Sequence, residues 1–361
     1  MKAGILLFII IMLAPGLLFS QDKSVWTSFW NSDTTLRGFK DAAGKVMIAP
    51  KFAPITSANK FINIIAAVEK KGDKWLSYYL TKSGRKVGQD QLYVFDITPD
   101  CECEGYIRFR DAVTHKVGMF NGKGDIAIPA EYNNLMPVAN GLIVALKGGI
   151  FDASKIDEHN QYPWVGGKEV LIDTRNKLLI NDFKYDADIN FYSLKVLKQP
   201  GNDPGRDNFK TLTGEYYSFI NYDKEFKAWL KTALLDDLTP ERLLKAAYIN
   251  VMVNISADDK EWNLDKARFV DEWFSIIRLK LLELNKPGVE YHIFTEGLNP
   301  FIYDYTSAAF EKYFDNCGSA LHNKYPVKQV VITRHVNGEI KQDHFEFLRT
   351  DSGYKLISVS L

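Results

Sequence analysis

Three cysteines are the residues of this chain with the most direct chemical potential. Cys101 and Cys103 flank a glutamate and form a Cys-x-Cys pair, which could make a tight disulfide, carry out redox chemistry or bind a soft metal. Acidic neighbours raise the pKa of a thiol, and no second Cys/His pair supplies further metal ligands. We therefore interpret Cys101 and Cys103 as a disulfide or redox candidate with a structural role, and we predict no metal site. Cys317 lies in an apolar stripe, which is typical of a core thiol.

A second set of reactive side chains lies near the end of the chain, where two alternating segments flank Asn337-Gly338. Asn-Gly in this setting is the strongest short signal for a β-hairpin. A two-residue turn places His344 opposite Val331 and puts His335 on the same face as His344. The two histidines are then about 13 Å apart at roughly 3.3 Å per residue, which is too far to chelate one ion. The opposite face is predicted to be a core face formed by Val330, Ile332, Phe345 and Phe347.

His335, His344 and Glu346 are the candidates for general acid–base catalysis. Glu346 has the same strand parity as His344, so a histidine–carboxylate pair is geometrically possible there. The alternative is that these side chains lie on the solvated face of an ordinary antiparallel sheet. We favour the alternative, because one polar face is what such sheets normally show.

No complete catalytic motif occurs elsewhere in the chain, which lacks His-Glu-x-x-His, Gly-x-Ser-x-Gly and both glycine-rich phosphate loops. Asp182, Asp186 and Asp188 lack the glycine and the terminal glutamate of a calcium loop. Basic and acidic residues balance at 45 each, so there is no basic footprint for a nucleic acid. The sequence therefore favours a protein without a cofactor that is not an enzyme, although the enzyme question stays open.

The first half of the chain contains an internal repeat. Segment 38–48 recurs without a gap as segment 118–128. The recurring positions are Gly38, Gly44, Gly84, Gly118, Gly124 and, in a weaker fourth copy, Asn176. Each unit predicts a short strand, a turn that needs a positive φ and an alternating strand. Stacked hairpins of this kind can bury an apolar face that one hairpin alone cannot.

This unit resembles the WG-type β-repeat family, whose pattern runs from an aromatic-Gly pair through Asp and Gly to Ile-Pro and an aromatic residue. The third copy matches at Gly118, Gly124, Ile126, Ile128, Pro129 and Tyr132. Arg37 and Val117 stand where the family has tryptophan before glycine. The resemblance covers approximately residues 36–185. It implies a β-rich interaction scaffold with no catalytic residues.

A Pro/Gly/Asn-rich stretch, 199–208, predicts a linker between this region and a different second half. After it, the apolar spacing changes from strand alternation to a period of roughly 3.6 residues. Apolar stripes at 226–234 and 270–284 predict two helices, and Thr239-Pro240 predicts the start of another between them. A fourth helix is predicted after Thr306 as its cap, with an apolar face formed by Phe310, Tyr313, Phe314 and Cys317.

Helices followed by an antiparallel sheet predict an α+β domain over 209–361. Its ending, 345–357, resembles the terminal strands of NTF2-like, cone-shaped domains. This resemblance implies helices on a curved sheet with a cone that could hold a pocket. The predicted fold class is therefore mixed, with a β-hairpin repeat region over 21–198, the linker, and this α+β domain.

Residues 1–20 have the order of a cleavable signal peptide, with Lys2 before a short apolar run that ends at the small residue Ser20. The alternative is a retained anchor, but a span needs about 20 apolar residues and this run is shorter and contains Pro-Gly. We predict cleavage near Gln21 and export to the periplasm or the cell exterior. No later stretch is apolar enough for a span, so we predict none in the mature chain.

Two functional hypotheses follow from these observations. The first is an exported, non-enzymatic binding or scaffold protein whose β-repeats recognise an unknown protein or glycan. The second is a small-ligand-binding or hydrolytic activity inside a C-terminal NTF2-like cone. A deep pocket around His335 and His344 would favour the second hypothesis, whereas a filled face would favour the first.

Overall fold

The computed structural model describes residues 25–155, 164–255 and 260–361. Strands hold 48% of the chain and helices 14%, so the protein is mostly β, with a curled half-barrel sheet and a few helices. The predicted signal peptide, 1–20, and the predicted cleavage position near Gln21 lie outside the described residues.

The described chain before Tyr222 is built from antiparallel β-hairpins, with one 3-10 turn at Ala153–Lys155. Its first strands are β1 (Trp26–Trp30), β2 (Arg37–Lys40), β3 (Val46–Phe52), β4 (Lys60–Phe61), β5 (Ile64–Lys71), β6 (Lys74–Thr81), β7 (Lys86–Val87), β8 (Val94–Phe95), β9 (Thr98–Pro99), β10 (Tyr106–Arg110), β11 (Val117–Asn121) and β12 (Ile126–Tyr132). There follow β13 (Asn134–Leu135), β14 (Leu142–Lys147), β15 (Ile150–Phe151), β16 (Trp164–Val165), β17 (Lys168–Asp173), β18 (Leu178–Ile180), β19 (Ile189–Leu197), β20 (Arg206–Lys210) and β21 (Tyr216–Asn221).

The turns of the predicted repeats share one hydrogen-bond geometry. In the first, the N–H of Asp41 donates to the carbonyl of Lys45 and the N–H of Gly44 donates to that of Asp41. The same two bonds close the turns at Thr81–Arg85, Asn121–Asp125, Asp173–Lys177 and Thr211–Glu215. The fourth turn residue has a positive φ, 82° at Gly44 and 62° at Asn176, which explains the recurrence of Gly and Asn. The last of these turns is a fifth copy, which the sequence analysis missed.

A different requirement acts at the first glycine of the repeat. A Cβ on Gly118 would lie 2.6 Å from the carbonyl oxygen of Ile128, and a Cβ on Gly38 would lie 2.5 Å from that of Ile48. Between β11 and β12 the register is interrupted at this point, and the two backbones approach closely. Only glycine fits without a shift of the backbone.

We expect Gly118→Ala to lower the free energy of unfolding by about 2 kcal/mol, because the added methyl group overlaps backbone that cannot rotate away. The midpoint of urea unfolding measures this change. Gly201→Ala is the control, since the added Cβ there meets only side-chain atoms, the flexible end of Leu197 at 3.2 Å and the Oδ1 of Asn208 at 3.5 Å, and we expect almost no change. Equal midpoints for the two variants would contradict the close-approach explanation.

The predicted linker at 199–208 is wrong. β19 and β20 both pair with β21 in one three-stranded sheet, so residues 198–205 form a loop within that sheet and residues 206–208 belong to β20. Gly201 and Asn208 pin the loop, because the Asn208 amide accepts from the Gly201 N–H and donates to its carbonyl, both at 3.1 Å. The helical part begins at Tyr222, after Asn221 caps the first helix.

The described residues from Tyr222 onward form a six-stranded sheet with three α-helices. The helices are α1 (Tyr222–Leu230), which continues into a π-helical turn at Lys231–Leu235, α2 (Pro240–Ala246), and α3 (Lys266–Leu281), which a 3-10 turn at Leu282–Asn285 extends. The strands are β22 (Ala247–Ile255), β23 (Lys260–Asp265), β24 (Glu290–Glu296), β25 (Val327–Val336), β26 (Glu339–Thr350) and β27 (Gly353–Ser360), in the order β23-β22-β27-β26-β25-β24. Among the strands of the described residues, only β22 and β27 pair in parallel.

The helices pack on one face of this sheet, and the core there includes the predicted residues Val330, Ile332, Phe345 and Phe347. The predicted cap at Thr239 is confirmed, since its side chain accepts from the N–H of Arg242. No helix in the described ranges is long and apolar enough to cross a membrane.

The helix predicted after Thr306 does not form. Only a 3-10 turn, Glu311–Tyr313, is present there. Both the N–H and the hydroxyl of Thr306 donate to the Asp304 carboxylate at 2.8 Å, so Thr306 takes part in a local turn and does not act as a helix cap. The segment instead lies across the second face of the sheet, where Tyr303, Tyr313, Phe314 and Tyr325 pack around Leu348 and Ile357.

Candidate functional site

The C-terminal hairpin has the predicted register, with His335 opposite Ile340 and His344 opposite Val331. His335 lies next to the turn of the hairpin, with 65% of its side chain exposed. Its Nε2 is 3.5 Å from an oxygen of Glu290 on the neighbouring strand. His335 is therefore a surface residue beside one exposed carboxylate.

Glu346 has a different environment from His335. Its carboxylate accepts a hydrogen bond of 3.2 Å from the Gln329 amide, and burial raises its pKa. Within the described part of the chain, no ion pair joins Glu346 to the half-buried His344. None of these three candidates lines the cavities formed beside Cys101, Trp229 or Tyr248. The structure does not bring the catalytic candidates together.

The candidate disulfide between Cys101 and Cys103 does not form. Cys101 forms a disulfide with Cys317, with their Cα atoms 6.1 Å apart, and Cys103 is a free thiol. An isolated β-bridge to Tyr106 orients Cys103 differently, and its Sγ lies 3.0 Å from the carbonyl oxygen of Val138. Cys317 is accordingly not a core thiol, because its sulfur links the C-terminal segment to the β-repeat region.

The segment that carries Cys317 has the same turn geometry as the repeats. The N–H of Asp315 donates to the carbonyl of Ser319, and Gly318 has a φ of 85°. The N–H groups of Asn59 and Lys60 both donate to the carbonyl of Asn316, at 2.8 and 2.9 Å. The sequence Asp-Asn-Cys-Gly-Ser resembles the repeat turns, and this similarity is the sequence signal that could have identified a turn here in place of a helix.

The free thiol of Cys103 is unsuited to disulfide exchange. Burial, and then the carboxylates of Glu104 and Asp100, raise its pKa to about 12. The thiolate is the attacking species in exchange, so this thiol is unreactive at neutral pH. The Cys101–Cys317 disulfide is therefore a structural link.

A cavity of about 290 Å³, called here the junction cavity, lies beside this disulfide. Its wall comes from both halves of the chain, with apolar side chains such as Tyr93, Met136 and Phe191. The one lining arginine, Arg108, is paired with Asp100 at 2.5 Å. The Asp315 carboxylate lies within 4.8 Å of both sulfurs, but the sulfurs are bonded to each other and cannot act as thiolate ligands.

A third feature is a set of exposed apolar side chains at one repeated position, the first residue after the turn. These are Val46, Ile126 and Leu178, which are 53%, 61% and 36% exposed, and we call them the turn face. Equivalent positions in the second and fifth copies hold Lys86 and Tyr216.

No family model matches the chain, and no curated protein matches its sequence. Among solved structures, the chain is similar to one described as "Rd1NTF2_04 with long sheet", at 14% identity and a TM-score of 0.20. The match covers 38% of this chain and 94% of that chain. A likeness at this TM-score carries no argument about the fold, so the WG-type and NTF2-like resemblances rest on the residues that suggested them.

Proposed function

We propose that this protein is an exported, non-enzymatic binding or scaffold protein whose β-repeat region recognises a protein partner through the turn face. The observation that carries the proposal is the recurrence of an exposed apolar side chain at one position in three of the five hairpins. Single exposed apolar residues are normal, but a set at equivalent repeat positions favours a shared interaction surface.

Contacts between neighbouring hairpins show that the second, third and fourth repeats pack against one another. Arg85 of the second turn is 2.6 Å from the Asp125 carboxylate of the third. The hydroxyl of Tyr132 in the third hairpin is 2.7 Å from the Asn176 side chain of the fourth turn. The second and third turns are therefore adjacent, and the fourth turn contacts the end of the third hairpin remote from its own turn. The WG-type resemblance also implies an interaction scaffold.

Export is the second part of the proposal. Segment 1–20 supports export because its charged start, apolar run and small final residue follow the order of a signal peptide. The Cys101–Cys317 disulfide also supports it, because such bonds persist mainly in oxidising compartments.

The test uses a photoreactive amino acid in place of Ile126, in protein made by its natural host, and the same replacement at Ile340 as a control. Ile340 is 65% exposed but lies in the C-terminal hairpin. We expect position 126 to form one discrete crosslinked adduct that protease digests, and position 340 to form none. The additional substitution Val46→Glu should reduce the yield of that adduct. An adduct sensitive only to glycosidases would show a glycan partner, and equal or absent labelling at both positions would contradict the proposal.

The intact mass of the same purified protein reports whether cleavage occurs near Gln21.

Small-ligand binding is the second candidate function, and the junction cavity favours it. Its volume of about 290 Å³ is close to the lower end of ligand pockets, about 300 Å³. The polar face that carries His335 and His344 supports it less, because neither histidine lines this cavity.

A further inference from the structure

A cavity of about 360 Å³ lies on the helical side of the C-terminal sheet, between α1 with its π-helical extension, α2 and β27. It belongs to neither the turn face nor the junction cavity. Trp229 and Tyr354 supply aromatic wall, and Arg242, Lys245 and Lys355 supply charge.

The charge around this cavity is unbalanced. No carboxylate is among its lining residues. The nearest ionic partner of Arg242 is Asp237, 3.8 Å away and 67% exposed, where solvent screens the attraction strongly. Burial, and then the positive charges of Lys266 and Lys245, lower the pKa of Lys355. An anion in the cavity would relieve this repulsion.

The side chains of Arg242, Lys245 and Lys355 have unused hydrogen-bond donors. Among the described residues, the ammonium group of Lys245 has no acceptor. Lys355 donates one bond of 2.6 Å, to the carbonyl of Lys245, and Arg242 donates one of 2.9 Å, to the carbonyl of Thr232. An ammonium group has three donors and a guanidinium five, so most of the N–H groups remain available.

We propose that this cavity binds a small oxyanion that carries two negative charges. A phosphate monoester and a dicarboxylate share this chemistry. The Arg242 guanidinium matches two oxygens of either group, and the two lysines supply point charges. Trp229 and Tyr354 offer an apolar wall to an attached hydrocarbon group.

Titration calorimetry of the full mature chain with inorganic phosphate, phenyl phosphate and succinate tests the proposal and separates the two sources. We expect at least one of the three to bind, and its affinity to fall as NaCl is raised. Lys245→Met should weaken that binding about tenfold, because it removes one charged donor. Lys245 is exposed, and the bond that it forms with Lys355 uses its backbone carbonyl and not its side chain, so this variant should fold normally.

Lys341→Met is the matched control. Lys341 is an exposed lysine in β26 that does not line the cavity, so its replacement removes the same charge elsewhere in the C-terminal sheet. It should bind the anion as the unmodified chain does. The proposal is overturned if none of the three anions binds, if both variants lose affinity equally, or if benzyl alcohol binds as tightly as phenyl phosphate.

Discussion

Replacing Cys101 and Cys317 together by serine is expected to lower the free energy of unfolding by about 3–5 kcal/mol. The disulfide joins residues 216 apart in sequence, so it removes much of the freedom of the unfolded chain. It also ties the turn at Asp315 to the segment between the second and third repeats, and the N–H groups of Asn59 and Lys60 bond to the same turn. Urea unfolding without reductant measures the loss.

Cys103→Ser is the control for this experiment. The Cys103 thiol is free and makes one hydrogen bond, to Val138, so its removal should cost about 1 kcal/mol or less. A serine double variant that unfolds at the same urea concentration as the unmodified protein would show that the link between Cys101 and Cys317 adds no stability.

Asp188→Ala is expected to have an effect of similar size, about 3–5 kcal/mol. Its carboxylate lies 2.6 Å from the ammonium group of Lys328, which is only 1% exposed and sits in β25 of the C-terminal sheet. The hydroxyl of Thr295 is the second neighbour of that ammonium group, at 2.5 Å. Without Asp188, a buried positive charge has no counter-charge, which is costly.

Two further variants make this prediction specific. Asp188→Ala combined with Lys328→Met should recover most of the lost stability, because the double change removes both charges. Glu272→Ala breaks the exposed pair with Arg268 and should cost only about 0.5 kcal/mol. If Asp188→Ala costs no more than Glu272→Ala, the buried ion pair has no special role in joining the two halves.

Features that depend on a few neighbouring residues could be predicted from the sequence. The turn glycines, Asn176 and the Asn337-Gly338 hairpin are examples, because a positive φ or a tight turn restricts the residue locally. The fifth turn, at Thr211–Glu215, escaped detection because its flanking strands match the repeat poorly and a Pro/Gly-rich loop precedes it. The loop at 199–208 has a linker's composition, which cannot show that its flanking strands share a sheet.

The candidate site depended much more on the tertiary structure. The spacing of His335, His344 and Glu346 correctly predicted a shared face, but not the segment that packs across the same sheet. Asp188 carried only a weak calcium pattern in the sequence, whereas in the structure it neutralises a buried lysine.

The sequence by itself determined the hairpin turns, the main helices and the register of the last hairpin, since their hydrogen bonds join residues close in the chain. The tertiary structure decided the partner of Cys101, the pairing of Asp188 with Lys328 and the filling of the second sheet face. These contacts join residues more than 100 positions apart, or bring a long connecting segment onto a sheet. Their formation depends on which surfaces meet when the two halves pack, and no local pattern of residues encodes that choice.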